Sequence, residues 1–114
     1  MRPILFCILA VGLSAQDETE LTRALSASRQ RIDHIDDQIV KLLNERATVV
    51  REVGLVKTRF HAPASAPGRE EQVLRRVSGQ ARGPLTPEAV RKIYQTVLAE
   101  MSAMEDREMQ SQRK

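Results

Sequence analysis

The sequence predicts an all-α protein of three helices per chain, one long, one short and one of medium length. Three observations carry this. A stripe of residues recurs at alternating steps of four and three: Leu25, Arg29, Ile32, Asp36, Ile39, Leu43, Arg46, Val50, Val53 and Lys57. That spacing keeps side chains on one face of an α-helix. Punctuation is equally plain, with Pro63, Pro67 and Gly68 after the first segment and Gly79, Gly83 and Pro84 after the second. Composition supplies the third. With 114 residues, 3% aromatics and no Trp, one small domain is the most the chain can form. A helical bundle or an intertwined oligomer suits it better than a large globular core.

Residues 1–15 stand apart. Arg2 is followed by the apolar run PILFCILAVGL and then Ser14-Ala15, the pattern of a secretory signal peptide with a short n-region. The run is too short to span a bilayer comfortably. Cleavage is expected after Ala15, although Leu13 stands where a small residue is preferred; an uncleaved start is the alternative. The mature protein would then begin at Gln16, be periplasmic or secreted, and lack cysteine, because Cys7 is the only one. The domain itself covers residues 16–106, and a polar tail, 107–114, is expected to fray from Asp106.

Within the domain, the polar stretch 16–22 leads into the long helix, with Asp17 or Thr19 as its cap. The helix is expected to continue to Thr58 or Phe60. Ile35, Leu42, Val49 and Val56 widen its apolar face. Residues 61–68 read as a loop. A short helix opens at Arg69 and ends near Ser78, with Val73, Leu74 and Val77 on one side. Thr86 and Pro87 form a strong helix start, as N-cap and first helical residue. The third helix then presents Val90, Ile93, Tyr94, Val97, Leu98, Met101 and Met104, with Glu105 on the same side.

Charge patterning points to the function. The net charge is only +3, with neither the basic cluster nor the aromatics that nucleic-acid binding requires. Yet Arg29, Arg46 and Lys57 lie on the apolar stripe, where cations are rarely left without a partner. They either pair with acids such as Asp36 or await an anionic ligand. Arg46 and Lys57 are about 16 Å apart along the helix, and Arg29 is about 25 Å from Arg46. A small ligand between Arg46 and Lys57 is therefore out of reach of Arg29 on the same helix. An antiparallel second copy would bring its own Arg29 to that place, and two short helices cannot cover so wide an apolar face. Both arguments imply a homodimer with sites shared between chains. An ordinary coiled coil with basic register residues is the structural alternative.

The segment SRQRIDHIDDQIVKLLNERATVVREVGLVK resembles the first helix of the all-α (AroQ-type) chorismate mutases. REEQVLRRV and GPLTPEAVRKIYQTVLAEMSAME resemble the second and third, so the resemblance covers residues 21–105. It implies an intertwined homodimer and the Claisen rearrangement of chorismate to prephenate, a step of aromatic amino acid biosynthesis. Residue by residue, it implies that Arg29 reaches into the partner's site to grip one carboxylate. Arg46 pairs with the other from within the chain, and Lys57 bonds the ether oxygen. Arg69 and Glu70 match the pair opening the second helix, where the glutamate meets the ring hydroxyl. Glu105 matches the position that contacts the ether oxygen from the other side. Catalysis would rest on Lys57, Glu105 and Arg46. Ala66 and Met101 depart, standing where some members carry an aspartate and a serine.

The implied reaction is unimolecular and needs no nucleophile, metal or cofactor, and His34 and His61 form no ligand set. Its demands are a compact conformer and stabilisation of charge on the ether oxygen. Two guanidinium forks suit two carboxylates. An isochorismate pyruvate-lyase of the same fold is the near alternative, although the Lys57–Arg69 spacing, the Arg-Glu order and Glu105 look more like the mutase. A non-catalytic exported helical dimer is the distant one. The expected partners are a small-molecule substrate and a second copy of the chain, with no nucleic acid and, once the leader is removed, no membrane.

Overall fold

The computed structural model describes residue 12 and residues 14–114. The expected signal peptide, with Cys7, falls almost wholly outside the described residues. Helix α1 spans Ala15–Arg59, α2 Pro67–Ser78 and α3 Pro87–Gln112. There is no strand among the described residues. No described helix is long and apolar enough to cross a membrane. The chain divides into two compact units, Met1–Val40 and Lys41–Lys114.

In the first unit, α1 begins earlier than its apolar stripe. The cap is Ser14, not Asp17 or Thr19. Its Oγ accepts from the Asp17 backbone N–H at 3.2 Å and donates to the Asp17 carboxylate at 2.8 Å. Thr19 instead donates back to the Ala15 carbonyl. Asp17 and Glu18 in the first turn suit the helix dipole. Ile32, Ile35 and Ile39 are about half exposed, and Arg29 is exposed.

In the second unit, α1 ends in a Schellman motif. The Ala62 N–H bonds the Lys57 carbonyl at 2.8 Å, and the His61 N–H bonds the Thr58 carbonyl. His61 takes the left-handed position, φ 55°, where glycine is usual. Its role is thus that of a turn residue. Helix α2 starts two residues before the expected Arg69, because Pro67 is itself helical. A proline fits the first turn, where its missing N–H costs nothing. Ala66 caps without a side-chain hydrogen bond. Helix α3 opens as expected, with Thr86 Oγ1 accepting from the Ala89 N–H at 3.1 Å.

Helices α2 and α3 pack against each other through Val73, Leu74, Val77 and Leu98, flanked by Val90 and Tyr94. Ile93, expected on the apolar face, remains about half exposed. The larger correction is at the C-terminus, where α3 does not fray at Asp106 but runs to Gln112. Met109 is the reason. It is 2% exposed and sits against Gly54 of α1, together with Glu105. A Cβ on residue 54 would lie 3.3 Å from Glu105 Cγ and 3.5 Å from Met109 Cγ. Glycine in a helix interior costs about 1 kcal/mol relative to alanine; here its missing side chain makes room for α3. Arg51 adds a 2.8 Å ion pair to Glu108.

Arg91 of α3 bonds both carboxylate oxygens of Glu71 on α2, at 3.2 and 2.7 Å. That hydrogen bonding holds the Glu71 carboxyl below its ordinary value of 4.5. Stability from this pair is therefore present above that value and lost as pH falls through the lowered one. Both groups are solvent-exposed, so the contribution is small. Glu71→Gln is expected to lower Tm slightly at pH 7, and the difference from wild type should vanish on acidification toward pH 3. Parallel melting curves across that range check it, and a difference that persists in acid would show another cause.

Candidate active site

A cavity of about 310 Å³ opens in the second unit between the end of α1, the following loop, α2 and α3. Each helix contributes for a local reason. Helix α1 supplies Arg46 and Lys57, with Val49, Val50 and Val53 as an apolar wall between them. Because α2 begins at Pro67, Arg69 and Glu70 fall in its first turn, at the cavity. Helix α3 supplies Met101 and Ser102 and, about one turn further on, Glu105.

Lys57 and Glu105 form the most enclosed ion pair among the described residues. Lys57 Nζ donates to Glu105 Oε1 at 2.6 Å and to the Ala64 carbonyl at 2.8 Å. An ammonium has three N–H groups, so one is left for a ligand. Glu105 is 8% exposed, and burial is tolerable for a carboxylate so paired. Its second oxygen has no hydrogen bond among the described residues. Half-buried Glu70 accepts from Ser102 Oγ at 3.1 Å. Arg69 donates to the Gln72 side chain at 2.8 Å.

Four cations line the cavity, Arg46, Lys57, Arg69 and Arg76, against the carboxylates of Glu70 and Glu105. Among the described residues no carboxylate lies within ion-pair distance of Arg46, Arg69 or Arg76. The excess of two positive charges, beside an apolar wall, suits a small dianion. Five of the six residues singled out in the sequence thus meet in one cavity: Arg46, Lys57, Arg69, Glu70 and Glu105. The sixth, Arg29, lies in the first unit. Ala66 and Met101, the two departures, also line the cavity.

Two polar side chains of the cavity escape the sequence reading. Arg76 is two turns beyond Arg69 on α2, and Ser102 is three residues before Glu105 on α3. The helical spacing from a neighbour already suspected was the available signal for both.

Fold and site together define an all-α protein whose second unit holds a cation-rich, apolar-walled cavity. Residues 28–106 match the chorismate mutase type II family, and the chain belongs to that family. It is 39% identical over 77 residues to the bifunctional chorismate mutase/prephenate dehydratase of Neisseria gonorrhoeae, covering 68% of this chain and 21% of that protein. The chain thus spans about a fifth of that relative's length. A chorismate mutase of Methanocaldococcus jannaschii is 28% identical over 82 residues, which cover 71% of this chain and 83% of that one. Among solved structures, chorismate mutase (form II) from Thermus thermophilus superposes with a TM-score of 0.72 at 30% identity. The match covers 74% of this chain and 96% of that one.

Proposed function

We propose that the chain is a chorismate mutase that rearranges chorismate to prephenate without a cofactor. The observation that carries this is the Lys57–Glu105 pair, set in a cavity with an excess of two positive charges. In the rearrangement one C–O bond of the enolpyruvyl ether breaks as a C–C bond forms, within a single cyclic shift of electrons. No proton, metal or external nucleophile enters the balance. The protein's task is to hold the reactive conformer and to meet charge building on the ether oxygen.

In this reading Arg46 grips one carboxylate, and Lys57 and Glu105 flank the ether oxygen. Glu70 accepts the ring hydroxyl, with Arg69 beside it. The second carboxylate is left for Arg29 of the partner subunit in a homodimer. The exposed apolar residues of α1 support that assembly, since side chains such as Ile35, Leu42 and Val56 need a cover. Residues 16–114 incubated with chorismate should form prephenate. Pyruvate from isochorismate in its place would reassign the site to a lyase. Neither product, and no binding of a bicyclic transition-state mimic, would leave a non-catalytic dimer.

The shared site has its own test. Arg29→Ala and Arg46→Ala chains should each be nearly inactive, and mixing and refolding them should restore part of the activity, because some heterodimers carry one intact site. Heterodimers that form without activity would end the shared-site reading. We also propose export, supported by the leader-like run before Gln16. Protein recovered outside the cytoplasm should begin at Gln16 or within a residue or two of it. Retention of Met1 there would refute cleavage.

A further inference from the structure

We infer that Ser102 is a positioning residue, which holds the Glu70 carboxylate in the orientation that accepts the substrate's ring hydroxyl. The inference rests on the proposed mutase function. A serine or threonine within a helix usually turns its hydroxyl back to a carbonyl of its own helix. Thr19, Thr22, Thr48 and Thr58 all do so here. Ser102 does not. Among the described residues it is the only hydroxyl that bonds across to another helix, from α3 to Glu70 of α2, at 3.1 Å and partly buried.

Glu70 needs such a restraint. Its side chain is long, and among the described residues it has no ion pair. On its own helix, the guanidinium groups of Arg69 and Arg76 line the same cavity. Released, the carboxylate would be free to turn toward either of them. An ionised carboxylate accepts only, through several lone pairs. Ser102 occupies one of these on Oε1 and leaves the others for a hydroxyl donor. Met101, next to it, stands where some chorismate mutases carry a serine, so this chain places its hydroxyl one residue later, on the carboxylate that orients the substrate.

The test uses Ser102→Ala and Ser102→Thr in residues 16–114, with chorismate as the probe. Alanine is the better helix former, so Ser102→Ala should fold, with Tm unchanged or slightly raised. Its KM should rise about tenfold, the scale of one hydrogen bond to a charged acceptor. Turnover should stay within about twofold, since the hydroxyl contact is made before and during reaction alike. Ser102→Thr keeps the donor and should restore KM. In a Glu70→Ala background, Ser102→Ala should add nothing, because the two act through one contact. Unchanged KM in Ser102→Ala, in an active wild type, overturns the Ser102 role alone. So does an effect that adds in full to that of Glu70→Ala. A wild-type chain that forms no prephenate overturns the proposed function, and this inference with it.

Discussion

Lys57→Ala is expected to lower kcat by about a hundred- to a thousandfold, the usual loss when one preorganised donor to a developing oxyanion is removed. KM should change far less. The ammonium is fixed by the Ala64 carbonyl and by Glu105, at 2.8 and 2.6 Å, and the last turn of α1 is itself locked through the Lys57 carbonyl. Its remaining N–H is therefore aimed before substrate arrives, and no reorganisation is needed as the bond breaks. Charge on the ether oxygen is greatest in the transition state, so the interaction belongs to turnover. The variant also strands a buried carboxylate, so Tm should fall too. Steady-state kinetics with chorismate decide the assignment. A raised KM with unaltered kcat would make Lys57 a ground-state contact.

Glu105 carries the second large effect. Its Oε1 receives Lys57, while Oε2 has no hydrogen bond among the described residues and can serve the ether oxygen only if it bears a proton. Glu105→Gln retains an oxygen for Lys57 and supplies a neutral N–H donor at every pH. It should keep its activity. Glu105→Ala provides neither and should lose at least about a hundredfold throughout. Steady-state kinetics of the wild type and both variants provide the check, and a Gln variant as inactive as the Ala variant would exclude this role.

Much of the site was legible in the sequence because helices translate spacing into geometry. Arg46 and Lys57 share a face of α1 by count alone, and Thr86-Pro87 announces the start of α3 through capping chemistry that is local by nature. What stayed hidden depends on partners distant in sequence. Met109 lies in a stretch as polar as a fraying tail, DREMQSQRK, and its seat against Gly54, with the Arg51–Glu108 pair, holds that stretch in place. Ser102 resembles any hydroxyl on a helix until Glu70 is set opposite it. Pro67 reads as a breaker, although at a first turn it is a starter. His61 closes α1 where a glycine would have marked the end. Arg29 was visible as an odd cation, but the use proposed for it requires a second chain.

The close approach at Gly54 makes the far end of α3 part of the chemistry. Glu105 and Met109 lean on the same gap, one helical turn apart, so the glutamate's seating is shared with a residue that does not line the cavity. A methyl group at residue 54 would press on both at once, and a chain clipped after Asp106 would keep every residue assigned to the reaction while losing the wedge behind Glu105. Shortened or enlarged here, the protein should lose catalytic alignment before it loses helix. The last turns of α3 therefore work as a backstop, and removing them should disturb the cavity they support.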